Sequence, residues 1–336
     1  MTTQFNRRLY IAGLAGVVSL AVVGCNADSA ADPAEQDYAN FPDKTVDVTI
    51  PFDPGGGSDV MARMVEKFWQ DEFGTNLNFQ YRSGAGGTVG MNAFATTADT
   101  DGYDIATFNF PHIVIHPVAG LADYSPTEDF LYICQIATDY NVAVVPADSP
   151  YESLSDYVEA ASAAPGQTSI SVPQAMDTGH IAFTQFVKDT GLDISLVRYQ
   201  SGSEQLESIL SGDTDMALGT AGTMAGSIAS GGLRVLGVTA PERLETNPDW
   251  PTFLEQGYEV QISLGRLWML PAGTPPEIQA IYESGFKDIS EDPAFVEQMA
   301  NLGYQVNFLD GQETLEMIEE FSPEAEELVT QMQESM

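Results

Sequence analysis

Two glycine-rich stretches hold the residues best suited to chemistry: Pro51-Phe52-Asp53-Pro54-Gly55-Gly56-Gly57-Ser58-Asp59 and Arg82-Ser83-Gly84-Ala85-Gly86-Gly87-Thr88-Val89-Gly90. Each lies between a strand-like run and a segment of helical spacing, so each is read as a strand-to-helix loop. Glycines let the backbone approach a ligand without side chains in the way. Ser58 or Asp59 can cap the helix that follows the first loop. The free N–H groups at such a helix start, together with the positive end of its dipole, favour an anion. The second loop falls short of the dinucleotide fingerprint G-x-G-x-x-G because Val89 stands where the third glycine belongs, and it lacks the Gly-Lys-Ser/Thr ending of a phosphate-binding P-loop. A nucleotide is therefore disfavoured. Two such loops at neighbouring strand ends point two anion-binding helix starts at one crevice.

Other reactive residue types do not assemble into a catalytic pattern. The histidines are His112, His116 and His180. His112 and His116 are four apart, but Pro111 and Pro117 bracket them, which argues against a regular helix presenting both. No Glu-x-x-His or Cys-x-x-Cys accompanies them, so no metal is expected. His180, after Thr178-Gly179, reads as a packing or capping residue at a helix start. No Gly-x-Ser-x-Gly elbow occurs. Glu319-Glu320 reads as a solvated helix face. No cofactor is expected, and the chain is not read as an enzyme.

The elements that must position the loops alternate. Strands are predicted at 45–52, 76–81 and 103–110, with helices at 60–73 and 89–98 between them. That βαβαβ order implies a parallel sheet. The middle repeats the theme, with strands at 141–146, 168–172, 194–199, 215–218 and 233–239 and helices at 154–163, 180–190 and 204–210. A strand-like run at 260–270 and helices at 276–289 and 293–302 follow. An acidic helix over 312–336, broken near Ser322-Pro323, closes the chain. No short repeat is visible, so a solenoid or propeller is not indicated.

Composition narrows the class further. The chain has 336 residues, enough for two domains, and 43% of them are hydrophobic, enough for a sizeable core. Arg7-Arg8, the uncharged run of 16 residues from 9 to 24 and then Cys25 read as a signal peptide over 1–24. The run is short for a membrane span, which needs about 20 residues. Ala21-Val22-Val23-Gly24-Cys25 resembles a lipobox, making Cys25 the lipidated first residue of the mature chain. Arg7-Arg8 leaves both the Sec and the twin-arginine export routes open. Residues 25–41 are read as a lipidated tether. Cys134, in an apolar run, reads as a buried structural thiol. The net charge is −37; without Arg7 and Arg8, 10 basic residues against 49 acidic ones leave −39. Acids spread along the whole chain exclude a nucleic-acid partner. They resemble the surfaces of proteins from salt-loving organisms, since molar salt shrinks the screening length to about 3 Å.

With these residues on view, the chain resembles the substrate-binding receptors of tripartite tricarboxylate transporters, the TctC or Bug family. The resemblance rests on residues 51–59 with Met61-Ala62-Arg63, on 84–90, and on Asp101-Gly102-Tyr103. It continues with Tyr199, Gly212, Asp215, Pro251-Thr252 before Glu255-Gln256-Gly257, and Pro271-Ala272-Gly273-Thr274-Pro275-Pro276. These landmarks run in order over about residues 42 to 320. The resemblance implies a type II periplasmic-binding-protein fold, with two α/β lobes joined by two crossing strands near 136–145 and 260–270. Lobe 1 would comprise 42–138 and 262–336, and lobe 2 would comprise 139–261. It implies a small carboxylate ligand held between the lobes, delivery to a two-component membrane permease, an extracytoplasmic location and a monomer.

The ligand-binding residues expected on this basis are Phe52, Pro54, Gly55, Gly56, Ser58, Asp59, Gly84, Ala85, Gly86, Gly87 and Thr88 in the loops, with Asn109, Asp177, Thr178, Tyr199, Thr220 and Arg266. Several positions depart from the family. Gly219 stands where many members carry an aspartate suited to an amino group, so an amino-acid ligand is disfavoured. Met176-Asp177 replaces a Gly-Ser pair, and Gly265-Arg266-Leu267 replaces a Trp-x-Gly. Arg266 either clamps the ligand's distal carboxylate in a bidentate manner or pairs at the surface with one of the many acids. A sensor subunit for a signalling kinase and a secreted α/β hydrolase stand as alternatives.

Overall fold

The computed structural model describes residues 38–174 and 176–334. The segment read as a signal peptide, most of the one read as a tether, and Cys25 lie outside them.

The chain begins as the sequence pattern requires, with β1 (Val46–Ile50), α1 (Gly57–Phe73), β2 (Leu77–Tyr81), α2 (Thr88–Thr97) and β3 (Asp104–Phe110). β1 pairs in parallel with both β2 and β3. Every second residue of β1 meets a helix layer, and Val46, Val48 and Ile50 are fully buried. α1 ends on Gly74 in the left-handed conformation, which glycine adopts without a Cβ penalty. Phe41, at the end of the segment read as a tether, packs its ring 5.0 Å from Tyr103 and 5.3 Å from Tyr282.

α3 (His112–Val118) is a helix despite the flanking prolines. Pro111 is its cap and needs no N–H there, and Pro117 lies in the last turn, so the expectation that the two histidines could not share a helix is overturned. β4 (Phe130–Pro146) then runs 17 residues through both halves of the molecule. Its first part pairs antiparallel with β9 (Ser263–Pro271) and with β10 (Gln305–Asp310). Its last part pairs with β7 (Met216–Thr220) and β8 (Leu233–Val238). β4 and β9 are thus the crossing strands, and the fold is the two-lobed α/β arrangement of periplasmic binding proteins.

The second sheet extends from β4 through β7 to β5 (Ser169–Val172) and β6 (Ser195–Arg198), which are mutually parallel. The helices α4 (Leu154–Ala163), α5 (Thr178–Thr190), α6 (Gly202–Ser211) and α7 (Ala221–Ala229) link these strands. Separate apolar cores form around each sheet. One centres on Trp69, Trp268, Tyr282 and Phe286, and another on Tyr157, Phe186 and Phe253. α8 (Pro276–Glu291) and α9 (Pro293–Asn301) return the chain to the first sheet.

α10 (Gly311–Glu334) is one continuous helix with Pro323 inside it, so the break expected at Ser322-Pro323 does not occur. The hydroxyl of Ser322 donates to the Ile318 carbonyl, four residues back, at 2.8 Å. Ala325 and Val329 anchor the following turns in the core. Packing on both sides of Pro323 outweighs the single lost backbone bond.

Candidate functional site

The site is built where strands end. β1, β2 and β3 of one sheet, and β5, β6 and β7 of the other, run their carboxyl ends toward a shared cavity of about 210 Å³, the position a ligand takes in open α/β sheets. Each strand leads, directly or through a short turn or loop, into a helix, so helix N-termini crowd the wall. α1 and α2 start there from the first lobe, and α5, α6 and α7 from the second. No side chain caps α1, α2 or α7, whose caps are Gly56, Gly87 and Thr220. α5 is capped by Asp177 and α6 by Ser201. The wall offers backbone N–H groups and hydroxyls, and such a lining suits an anion.

Steric fit explains the glycines. At Gly87, with φ of +94°, a Cβ would lie 2.7 Å from the Phe108 ring and 3.2 Å from Phe52. Those two rings stack at 5.6 Å beneath the loop. At Gly57 a Cβ would lie 2.6 Å from an Arg266 guanidinium nitrogen and 3.3 Å from the hydroxyls of Thr220 and Thr223. Gly57 is therefore where α1 of the first lobe meets α7 of the second. Among the described residues, the two with positive φ that are not glycine are Ala85, in the cavity wall, and Met176, beside it. Backbone strain of this kind gathers at functional sites.

Of the residues expected in the site, the cavity wall includes Phe52, Gly56, Ser58, Gly84, Ala85, Gly86, Gly87, Asn109, Asp177, Thr178, Thr220 and Arg266. It leaves out Pro54, Gly55, Asp59, Thr88 and Tyr199. Pro54 and Gly55 sit on the exposed crest of the first loop. Asp59 does not cap α1. Its carboxylate accepts from the Gly55 N–H at 2.7 Å and from the Tyr81 hydroxyl at 2.8 Å, and it pairs with Arg63 at 3.0 Å. The Thr88 hydroxyl is taken by the Ala85 carbonyl at 2.9 Å. Tyr199 is held by its backbone to the Val172 carbonyl, and the next residue, Gln200, reaches the wall.

Sequence reasoning missed Gln174, Gln200, Ser201, Ser203, Gln205, Thr223 and His112. Ser201 carried a readable signal, since Ser201-Gly202-Ser203-Glu204 has the spacing of a capping box, although here the glutamate reaches one residue further back. The Ser201 hydroxyl accepts from the Glu204 N–H at 3.2 Å, while the Glu204 carboxylate accepts from the Gln200 N–H at 2.9 Å. Gln205 carried none, because its place depends on how α6 packs over the ends of β5 and β7.

Arg266 is neither a surface arginine nor a free clamp. It is 2% exposed, on crossing strand β9. One terminal nitrogen donates to Ser58 Oγ at 3.1 Å and to Asn109 Oδ1 at 3.0 Å. The other donates to the Asp139 carboxylate, which lies on crossing strand β4 and is fully buried. Asp139 also accepts from the Gly222 N–H of α7. The guanidinium lies over the Tyr304 ring, whose hydroxyl donates to the Gly57 carbonyl at 2.8 Å.

Burial sets the remaining charges. Asp177 is pushed up to about 7 by burial, against the N–H groups of His180 and Gly179, which pull it down. His112 is driven well below its usual range by burial, reinforced by His116 and Arg266, and both of its ring nitrogens lack partners. Burial brings His116 to about 4 although it is hydrogen-bonded to the Met176 backbone. His180 also falls to about 4, and its Nδ1 accepts from the Met176 N–H at 3.2 Å. All three imidazoles are therefore neutral at pH 7.

Two lobes on a pair of crossing strands, with a cavity lined by helix N-termini between them, define a solute-binding protein. The pattern of the tripartite tricarboxylate transporter family receptor (TctC) matches residues 61–333, and the chain belongs to that family of receptors. The hydrolase alternative is thereby set aside. Among curated relatives, the chain is 26% identical over 307 residues to the UPF0065 protein in the gbd 5′ region of Cupriavidus necator, covering 91% of this chain and 92% of that one. It is 28% identical over 287 residues to protein BugT of Bordetella pertussis, covering 84% and 88%. Solved structures share the fold. An R. palustris protein with adipate superposes with a TM-score of 0.82 at 22% identity, covering 87% of this chain and 98% of that one. The periplasmic binding protein BugD gives 0.79 at 23%, covering 87% and 98%. MatC from Rhodopseudomonas palustris with bound malate gives 0.77 at 20%, covering 86% and 100%.

Proposed function

We propose that this receptor captures a small di- or tricarboxylate, or an aromatic carboxylate, between its lobes and delivers it to a two-component membrane permease. The observation that carries the reading is the convergence of five helix starts on one cavity, three of them without a side-chain cap. In a chain of net charge −37 the long-range field opposes an anion. Local N–H groups must therefore do the binding, with the surface charge screened by salt. Adipate and malate in the related structures are the first ligands to try.

In this reading 42–138 with 262–336, and 139–261, move as two bodies about β4 and β9. The ligand stabilises the closed form that the permease recognises. The protein works as a monomer outside the cytoplasm, held to the membrane by a lipid on Cys25, and its acidic surface is an adaptation to high salt. The binding reading is tested by a thermal-shift screen of mono-, di- and tricarboxylates in molar KCl. A bound ligand raises the melting temperature by mass action, by about 2.7 kcal/mol of stability at a hundredfold excess over Kd. If no carboxylate shifts the melt while an amine or a sugar does, the ligand class is wrong.

A further inference from the structure

Arginine has only donors, five N–H groups and no acceptor. Any side chain bonded to Arg266 must therefore turn an acceptor toward it. Ser58 does so with Oγ and Asn109 with Oδ1, both to the same terminal nitrogen, at 3.1 and 3.0 Å. The two residues come from different elements, α1 and β3, and both line the cavity. The arrangement fixes the Asn109 amide, since Oδ1 is committed to the guanidinium and only Nδ2 is left for the cavity. The Ser58 hydroxyl hydrogen makes only a long contact with Asn109 Oδ1, 3.5 Å, and can rotate from it toward a ligand acceptor in the cavity. Asp139 holds the second terminal nitrogen and so keeps the guanidinium in this pose.

We propose that Arg266 is a positioning residue for ligand recognition: it orients Ser58 and Asn109 so that both present hydrogen-bond donors to one carboxylate group of the ligand. It acts through them and does not clamp the ligand itself. The inference rests on the carboxylate reading above and assigns this half of the site a chemistry, that of an acceptor-only anionic group. A ligand amide or hydroxyl would meet donors where it also carries a donor, and would bind less well.

The decisive variant is Asn109→Asp. It is isosteric and keeps an acceptor for Arg266, with a charge that strengthens that bond, but it replaces the cavity-facing donor by an acceptor. Succinate and malate titrations by calorimetry in molar KCl are expected to show at least a hundredfold loss of affinity, with the melting temperature of the free protein undiminished. A second variant, Arg266→Gln with Asp139→Asn, removes both charges together, so no unpaired charge is buried. It is expected to fold and to lose at least tenfold in succinate affinity, because a glutamine can present its oxygen and release the orientation of Asn109. A purely structural Arg266 predicts the opposite split, with a lowered melting temperature and unchanged affinity in the double variant. Wild-type affinity in Asn109→Asp overturns the inference alone. A wild-type protein that binds neither succinate, malate nor any other carboxylate overturns the carboxylate reading and the inference together.

Discussion

The carboxamide of Gln205 fills the space in front of Gly219. A Cβ on Gly219 would lie 2.6 Å from Gln205 Oε1 and 2.6 Å from the Met224 methyl. Gln205 is fully buried, and its Nε2 donates to the carbonyls of Ser171 at 2.8 Å and Leu218 at 3.0 Å. It thus ties the ends of β5 and β7 to α6. Its Oε1 has no partner. A side chain at 219 would require Gln205 or Met224 to move.

Gly219→Ala is therefore expected to destabilise the protein by about 1–3 kcal/mol, the usual cost of overpacking. In a Gln205→Ala background the same change should cost less, with a coupling of about 1 kcal/mol or more between the two sites. Denaturant melts of the four proteins in one salt check this. Strict additivity would show that the two positions do not compete for one space.

Asp177 makes stability depend on pH. Its carboxyl is raised from 3.8 to about 7 in the folded state, so the native protein holds a proton that the unfolded chain releases. The resulting stability is fully present below pH 3.8 and is lost as pH rises through 7. At about 1.36 kcal/mol per unit, the effect is at most about 4 kcal/mol. Asp177→Asn keeps the cap on α5 and removes this slope. Chemical denaturation at pH 5, 6, 7 and 8 in constant salt should show the wild type losing stability relative to the variant. Parallel curves would rule out the assignment.

Gly57 is a close point of contact between lobes. Its virtual Cβ meets Arg266, Thr220 and Thr223 together. Gly57→Ala is expected to cost about 1–3 kcal/mol in stability and to weaken carboxylate binding tenfold or more, since both loop geometry and closure are disturbed. Small-angle scattering with saturating ligand should then show less compaction than in the wild type. An unchanged Kd and an unchanged bound radius of gyration would count against Gly57 as the contact point.

The acidic surface makes its own demand. Few acids have a basic partner, given 12 basic residues against 49 acidic ones. Self-repulsion then falls as the Debye length shortens from about 10 Å at 0.1 M salt to about 3 Å at 1 M. The melting temperature should rise between dilute buffer and molar KCl. A flat response would remove high-salt adaptation from the reading.

Local physics made much of this molecule legible before any coordinates. Apolar periodicity, Pro and Gly punctuation and β-branched runs placed most strands and helices of both lobes, but not α3, α7 or β10. The two glycine loops announced helix starts suited to an anion, because the chemistry of an uncapped N-terminus is written in consecutive residues. Patterns that depend on partners distant in sequence were not legible. Nothing in Leu264-Gly265-Arg266 says that its arginine meets Asp139 from 127 residues earlier and Ser58 from 208 earlier. Nothing around Gln205 shows that Gly219 leaves room for it. Pro117 and Pro323 were read as helix breakers because the cost of a proline is local, whereas the packing that overcomes it is not. The sequence by itself therefore determined the alternating α/β class and two glycine-rich helix starts suited to an anion, and the two lobes followed from the family resemblance. Tertiary structure decided which side chains line the cavity and which way their donors point, since both depend on residues that only folding brings together.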